Sequence, residues 1–235
     1  MAVNIDTVYQ RVLAIANKEQ RGYITPQEFN LLANQAQMEI FEQYFYDKNQ
    51  FGRQPGNDTT YSDMMDLLEE KIDIFERFRQ TVAVTGAGVG TLPAYYRMGE
   101  LSYYTGSRFV EVEKISQNDL NHYTNSPLTE PKLERPFYIQ TGENTIQIYP
   151  TTITDGSQVS CNLIVAPATV EWAYTTVLDE ALYNVTNSTN FELHRSEEPN
   201  LVIKILQLSG VIIKQQDLYS IADAEEKQDK QQEKV

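Results

Sequence analysis

Residues 25–47 read TPQEFNLLANQAQMEIFEQYFYD and predict the clearest long helix of the chain. Thr25 suits the N-cap, Pro26 the first helical position, and Glu28 the position whose carboxylate completes a capping box. Apolar side chains then recur at helical spacing, at Phe29, Leu32, Ala33, Ala36, Ile40 and Tyr44. Burying one large apolar side chain contributes roughly 1.5–3 kcal/mol, so this stripe predicts partner helices elsewhere in the chain.

Three other segments have helical patterns. Asn4 is placed to cap a helix that runs to about Asn17, and Ser62 to cap a helix that runs to about Arg79. A last helical region begins at Ser196 and carries a wide apolar face, formed by Leu201, Val202, Ile205, Leu208, Ile212 and Ile213. We expect this face to pack on the stripe of residues 25–47. The tail after Asp217 is mostly charged residues and Gln.

The middle of the chain has the alternation of β-strands, beginning near Gln80. Residues 137–140 and 145–149 predict a hairpin across Gly142-Glu143-Asn144. Further strands are predicted over residues 81–85, 108–115, 159–166 and 182–185, and a short helix is predicted after Ser116. The glycine run at 86–90 lacks the Lys-Ser or Lys-Thr of a phosphate-binding loop and predicts a hairpin turn.

These patterns predict an α+β fold with segregated elements. The N- and C-terminal helices are expected to form a helical bundle, and an antiparallel β-rich lobe is inserted between them. The predicted divisions are an N-terminal helical part (1–80), the β-rich lobe (81–190), and C-terminal helices that pack on the N-terminal part (191–235).

Charge limits the kinds of partner. The formal net charge is −14, which argues against a protein that grips nucleic-acid phosphates or an anionic membrane. Such a charge is compatible with a protein that DNA slides past without sticking. If the chain lined a channel for DNA, the acids of helices two and three, or those of the tail, would face it. Our candidates on the helices are Glu39, Glu42, Asp66, Glu69 and Asp73.

The sequence offers no recognisable catalytic or metal-binding motif. We find no G-x-S-x-G, H-E-x-x-H or G-x-x-x-x-G-K-[ST] pattern, and no basic stretch interleaved with aromatics. His122 and His194 are expected to be surface or capping residues. Cys161 is the only cysteine, which excludes an intrachain disulfide, and its strand context predicts a small buried hydrophobic residue. We therefore expect a non-enzymatic protein without cofactor or metal.

One loop has the spacing of a calcium site. Residues 17–28 can be laid over an EF-hand loop, with Gly22 at the sixth place and Glu28 at the twelfth. Arg21, however, puts a cation where a calcium ligand is needed, and Glu28 is already explained by the capping box. We expect no calcium binding.

Tyrosine is unusually frequent, with fifteen residues in the chain. Because tyrosine has an apolar ring and a polar hydroxyl, it suits surfaces that are partly desolvated and partly in contact with water. Paired tyrosines therefore suggest subunit interfaces. The candidates are Tyr44, Tyr46, Tyr95, Tyr96, Tyr103 and Tyr104. The alternative, that tyrosine simply favours strands in a β-rich region, stays open.

Several stretches taken in order resemble a known group of proteins. They are residues 17–30 running into the long helix, LPAYY at 92–96, IQIYPTT at 146–152, VAP at 165–167 leading to EWAY at 171–174, and FELH at 191–194. Together they resemble structural proteins of short-tailed, crAss-like bacteriophages. The resemblance is to head-to-tail adaptor or ring proteins comparable to the tail tubular protein A family, and it covers most of the chain.

The resemblance implies a non-enzymatic virion component. Such proteins form rings, usually of about twelve copies, that sit below the portal and pass genomic DNA through a central channel without specific binding. The implied partners are copies of the chain itself, the portal protein, and the next tail ring or tail protein, with no membrane involved. The implied place is the head–tail junction of the virion, after synthesis in the host cytoplasm. No signal peptide or membrane span is expected.

Two other functions remain open from the sequence. One is a non-enzymatic binding module that acts on a host protein. The other is a tail-associated hydrolase, which would need a clustered acid pair or a histidine-centred site that the sequence does not show.

Overall fold

The computed structural model describes residues 3–18, 24–51, 64–178 and 180–212. The helices are α1 (Ile5–Lys18), α2 (Pro26–Phe51), α3 (Met64–Asp73), α4 (Leu120–Asn125) and α5 (Glu198–Ile212). The strands are β1 (Glu76–Thr81), β2 (Ala83–Thr85), β3 (Val89–Thr91), β4 (Arg97–Tyr104), β5 (Phe109–Glu111), β6 (Glu113–Lys114), β7 (Phe137–Gln140), β8 (Thr145–Tyr149), β9 (Val159–Ile164), β10 (Tyr174–Val177) and β11 (Glu180–Tyr183). The α+β class is confirmed. The loop before α3, residues 19–23 of the calcium-like loop, Ser62, Ile213 and the tail after Asp217 lie outside the described residues.

Contacts divide the chain into two compact units. One, the helical unit, combines Met1–Ile74 with Pro167–Val235, and the other, the sheet unit, is Phe75–Ala166. The sheet unit therefore begins before residue 81 and ends well before residue 190, the limits predicted for the β-rich lobe.

Local capping signals set the starts of α1 and α2. The Asn4 side-chain oxygen accepts hydrogen bonds from the backbone N–H groups of Asp6 (2.9 Å) and Thr7 (3.1 Å). At α2, Thr25 N–H donates to Glu28 Oε2 at 3.0 Å, and Glu28 N–H donates to Thr25 Oγ1 at 3.3 Å. The predicted capping box is thus confirmed, and all six residues of the predicted α2 stripe are buried.

The partner of α2 is also as predicted, since α5 contacts both α2 and α1. Leu201 and Ile205 are fully buried in α5. A buried ion pair lies at the start of α5, where Lys71 Nζ of α3 meets Glu197 Oε1 at 2.7 Å. Asn200 donates to the other Glu197 oxygen at 2.9 Å, so this carboxylate is satisfied although it is buried.

The predicted length of α3 is wrong. The helix ends at Asp73, and Glu76 already begins β1. The helical spacing of Phe75 and Phe78 suggested continuation to Arg79. Pairing with β9 overrides that local signal, because Glu76 is opposite Ile164 and Arg77 opposite Leu163.

A second correction concerns β10. No strand was predicted over residues 174–177, yet β10 pairs with β11 across a two-residue turn, with Val177 opposite Glu180. This two-stranded sheet belongs to the helical unit. Trp172 connects this sheet to α1. Its ring stacks on Tyr174 (5.9 Å between centroids) and Tyr183 (5.6 Å), and its Nε1–H donates to Asp6 Oδ1 at 2.9 Å.

Side-chain amides of α2 hold the chain segment that precedes β10. Asn34 Nδ2 donates to the Val170 carbonyl, and Val170 N–H donates to Asn34 Oδ1, both at 2.9 Å. Asn30 makes the same pair of bonds with Trp172, at 3.3 and 2.8 Å. Each amide therefore offers one donor and one acceptor, as a neighbouring β-strand would.

Gln37 continues this amide ladder. Its Nε2 donates to the Ala168 carbonyl at 2.9 Å, and its Oε1 accepts from Glu192 N–H at 3.3 Å. The spacing explains the match, because one helical turn of four residues rises about 6 Å and two strand residues rise about 6.6 Å. The amide ladder gives main-chain groups of Ala168 and of the buried Val170 and Trp172 their partners without a neighbouring strand.

Two sheets make up the sheet unit. Their strand orders are β1-β9-β4-β5 and β2-β3-β8-β7-β6. The predicted β7–β8 hairpin is confirmed, and the glycine run makes the predicted turn, between β2 and β3. All described strand pairs are antiparallel except β6–β7, which is parallel, so the predicted purely antiparallel lobe is corrected to a mixed one. One core contains buried residues of both sheets, among them Leu101, Ile146, Ile148 and Cys161.

The four-stranded sheet is bent at Asn162 of β9. Between the pairs Arg77–Leu163 and Gln80–Cys161, β1 has one residue more than β9, and β4 has one more at the same level. These two bulges flank Asn162, whose Oδ1 accepts from Arg79 N–H at 3.1 Å. Arg79 takes a positive φ of 50°. Bulges of this kind change the direction of side chains, and here Phe78 and Arg79 are both exposed.

Candidate functional site

An exposed cluster of one arginine and three aromatic rings lies on the four-stranded sheet, and we call it the arginine–aromatic face (Phe78, Arg79, Tyr104 and Phe109). The guanidinium carbon of Arg79 is 3.9 Å from the centroid of the Phe109 ring and 5.0 Å from that of Phe78. Tyr104 packs on Phe109 with 4.9 Å between centroids. Phe78 is 69% exposed, which is unusual for so large an apolar side chain.

The Arg79 charge has no acidic partner within the described chain. None of the described ion pairs includes it, and the one described side-chain hydrogen bond at this residue is made by its backbone N–H, to Asn162, and not by its guanidinium. A guanidinium stacked on a ring keeps its N–H groups in the plane, pointing away from the ring. The arginine–aromatic face thus presents a positioned cation with free donors.

The composition of this face is that of a protein interface. Tyrosine, phenylalanine and arginine are enriched in interface cores. Glu76, Glu100 and Glu111 lie on the same strands and are exposed, so the sheet surface is of mixed charge and does not favour nucleic-acid phosphates. The sequence showed no basic stretch interleaved with aromatics, and this single cation meets its rings only because β1 and β5 bring together residues that are far apart in sequence.

A second unusual surface is the end of the β10–β11 hairpin, which we call the hairpin tip (Val177, Leu178, Glu180 and Leu182). Leu178 is 94% exposed, and Val177 and Leu182 are about half exposed. Leu178 has a positive φ of 52°, in the first position of the two-residue turn. Turns of this type favour Gly, Asn or Asp there, so a leucine is costly to the backbone.

The six candidate interface tyrosines do not behave alike. Tyr46 is exposed, and Tyr95, Tyr96 and Tyr104 are partly exposed. The interface prediction is corrected for Tyr44 and Tyr103, which are only 4% and 6% exposed and belong to the chain's own core. Adjacent residues of a strand point to opposite faces, and residues two apart on a helix are also far apart in direction. This accounts for the pairs Tyr44/Tyr46 and Tyr103/Tyr104, whereas Tyr95 and Tyr96 precede β4 and are both partly exposed.

The five candidate channel acids are exposed or partly exposed. Among the described ion pairs, Glu39 meets Lys204 at 3.1 Å and Glu69 meets Lys48 at 3.1 Å. The others are Glu42, on α2, and Asp66 and Asp73, which with Glu69 follow one side of α3. Whether any of these acids faces a channel stays a prediction.

No protein-family model matches this chain, and no curated protein is significantly similar to it. None of the described helices is long and apolar enough to cross a membrane.

The titratable groups of the described chain give no catalytic arrangement. No group of three or more His, Cys, Asp and Glu residues within it is placed to hold a metal ion. His194 caps the start of the α5 region, since its Nδ1 accepts from Ser196 N–H at 3.3 Å and lies 2.8 Å from Ser196 Oγ. Burial raises the pKa of the Cys161 thiol to about 11, so the thiol stays protonated at neutral pH. Its burial in the strand is as predicted.

Two open grooves complete the surface. One, of about 650 Å³, lies in the sheet unit beside Arg108, Leu133 and Glu134. The other, of about 340 Å³, lies between α1 and α5 and is lined mostly by apolar side chains such as Ile15 and Val202. Thr105, Ser107 and Glu134 share the first groove, but no described hydrogen bond joins the Glu134 carboxylate to either hydroxyl, as activation of a nucleophile would require. The arginine–aromatic face and the hairpin tip are therefore stronger candidates for the functional site than either groove.

Proposed function

We propose that this chain is a structural virion protein, a head-to-tail adaptor that forms a ring below the portal and lines part of the DNA channel. In this proposal the N- and C-terminal helices form the bundle and the β-rich lobe is inserted between them. The sequence resemblance suggests the class of protein. The contact surfaces and the charge distribution support it independently.

The observation that carries the proposal is the charge of α3. Asp66, Glu69 and Asp73 follow one side of this helix, and Glu70 is exposed beside them. Lys71, the only base of α3, is turned to the buried Glu197 at 2.7 Å. The exposed surface of α3 is therefore acidic, with one of its acids paired to Lys48. Such a surface repels DNA over about 8–10 Å at physiological salt.

A channel lined in this way would let DNA pass without holding it. Repeated about twelve times around a ring, the acidic helices would surround the duplex with charge of its own sign. The partners would be other copies of the chain, the portal protein, and the next tail ring or tail protein. No step in this role is catalytic, and the protein would reside at the head–tail junction.

Electron microscopy of the purified chain with and without portal protein tests the assembly. We expect closed rings whose opening admits duplex DNA, at high protein concentration or on the portal. Particles that stay monomeric even with portal protein would contradict the proposal.

A charge reversal tests the channel. In phage particles that carry D66K/E69K/D73K, we expect slower genome release, because the substituted lysines would hold the DNA that passes. The matched control is E113K/E130K/E134K, which changes the net charge equally at exposed acids of the sheet unit. Equal release rates for both variants would refute the placement of the α3 acids in the channel.

A further inference from the structure

We propose that the hairpin tip of one copy docks on the arginine–aromatic face of a second copy. In this contact Glu180 of the tip pairs with Arg79 of the other copy, and Leu178 packs on the rings of Phe78 and Phe109. The inference rests on the proposed function in one respect only, that copies of the chain assemble with one another.

The arginine–aromatic face has the chemistry of a carboxylate receptor. Phe109 holds the Arg79 guanidinium at 3.9 Å from its centroid, which limits the positions of the charge before any partner arrives. No described carboxylate pairs with this guanidinium. Its in-plane N–H groups can therefore bind both oxygens of an incoming carboxylate. The exposed rings beside it supply apolar contact area.

The hairpin tip has the complementary chemistry. Leu178, Val177 and Leu182 form an exposed apolar surface, and Glu180 stands among them without an ion pair in the described chain. The hairpin and its flanking segments in the helical unit add no positive charge of their own, because residues 167–194 contain no lysine or arginine. An apolar tip with one carboxylate matches an apolar face with one guanidinium.

Backbone conformation provides a separate observation. Arg79 and Leu178 are two of the three described non-glycine residues with positive φ, and both side chains are exposed. The bulge explains the φ of Arg79 and the two-residue turn explains that of Leu178. Neither the bulge nor the turn explains why arginine and leucine occupy these positions, since glycine would fit either backbone with less strain. Contact with another molecule gives both side chains a role.

A second copy fits this face better than nucleic acid does. Glu76, Glu100 and Glu111 offset the charge of the exposed Arg77, Arg97 and Arg108, so the sheet lacks the strong positive field that nucleic acid needs, whereas a single carboxylate needs only the Arg79 guanidinium. Two different patches that complement each other make a heterologous contact, and repeated heterologous contacts close into a ring when the rotation permits. This is the symmetry that an adaptor ring needs.

Disulfide trapping between two singly substituted full-length chains tests the contact. One chain carries F78C and the other L178C, and an affinity tag on one makes the mixed dimer distinguishable. We expect at least about five-fold more mixed dimer than from F78C with L128C, because docking raises the local concentration of the two thiols. Leu128 is the matched control, since it is also highly exposed and apolar. No excess over that control would overturn the proposal.

A charge exchange tests the pairing of Arg79 with Glu180. F78C/R79E mixed with L178C should lose the excess of mixed dimer, and F78C/R79E mixed with L178C/E180R should regain it. Loss without recovery would overturn this pairing. If an F78C/L178C chain formed only a disulfide within itself and no disulfide-linked dimer, the tip would contact the sheet of its own chain. If a single-stranded oligonucleotide suppressed the trapping between F78C and L178C chains, the face would bind nucleic acid. Either result would overturn the proposal.

The test also separates this inference from the proposed function. Rings without trapping at 78 and 178 would leave the adaptor function standing and remove only this interface. Trapping with open filaments and no closed ring would keep the interface and contradict the adaptor function.

Discussion

The guanidinium carbon of Arg79 lies 3.9 Å from the centre of the Phe109 ring, although the two residues come from opposite edge strands of the four-stranded sheet. The side chain of Arg79 starts from a bulge in β1 whose backbone has a positive φ. The sheet thus uses an irregular edge to place a charge on an aromatic surface.

The backbone strain at Arg79 can be measured with two substitutions that both remove the stacked guanidinium. R79A keeps a Cβ at a positive φ, whereas R79G does not. We expect R79G to be more stable than R79A by about 1 kcal/mol, because an L-residue in the left-handed region carries a cost that glycine avoids. Urea unfolding of both variants checks this. An R79A at least as stable as R79G would show that the bulge relaxes.

The amide ladder should be sensitive to loss of one side chain. N34L leaves the N–H and C=O of the fully buried Val170 without their partners. We expect a loss of about 2–4 kcal/mol in the free energy of unfolding, since two buried main-chain groups lose their bonds. The control is Q35A on the exposed side of α2, whose side chain only reaches Glu39 at 2.9 Å, and it should cost less than about 0.5 kcal/mol. Similar losses for both variants would mean that the segment does not depend on α2.

The ion pairs of α3 should differ in their contributions. E197Q breaks the buried pair with Lys71 and should cost about 3 kcal/mol, because a partly buried ammonium is left without its carboxylate. E69Q breaks the exposed pair with Lys48 and should cost less than about 1 kcal/mol. Chemical denaturation of both variants, together with the K71M/E197Q double variant, separates the pair energy from the cost of the lone charge. An E197Q as mild as E69Q would contradict the buried placement.

The α2 capping box predicts a pH dependence. Hydrogen bonds from the backbone N–H and the hydroxyl of Thr25 lower the pKa of Glu28 below its ordinary value of 4.5. A carboxylate whose folded pKa is lowered stabilises the fold above the unfolded pKa, and that stability is lost as pH falls through the folded value. As the pH falls below 4.5, the E28Q variant should therefore lose less thermal stability than the wild type, as measured by thermal unfolding. If thermal stability fell equally with pH in both proteins, Thr25 would not form these hydrogen bonds with the Glu28 carboxylate in solution.

Cys161 should be unreactive while the protein is folded. Its thiol is buried, its pKa is raised to about 11, and it lies 3.5 Å from the Gln80 carbonyl. Alkylation at neutral pH should proceed only at the rate of unfolding and become fast in denaturant. Mass spectrometry of samples taken over time measures this. Rapid labelling of the native protein would contradict the burial.

Local patterns predicted the elements whose structure depends on near neighbours. The capping box at Thr25 and the hairpin around Gly142 satisfy their own main-chain groups within a few residues. The end of α3 was missed because Phe78 continues a helical pattern that pairing with β9, more than eighty residues later, overrides. No local window contains that pairing.

The candidate surfaces were harder to predict for the same reason. Arg79 and Phe109 come together only through the sheet, so neither attracts attention in sequence. The amide ladder did have a signal, since Asn30, Asn34 and Gln37 recur at helical spacing next to an apolar stripe. Amides in such a position need partners, and an extended segment elsewhere in the chain is the natural one.

The amide ladder also decides where mechanical load enters the helical unit. The chain leaves the sheet unit at Ala166, and the first carbonyl held by α2 is that of Ala168. A pull along this connection would reach α2 within two residues, and it would be shared by the side chains of Asn34, one turn further along, and Asn30, two turns further along. At this connection, the hydrogen bonds of the amide ladder would therefore bear such a load before it reached the apolar core of the helical unit.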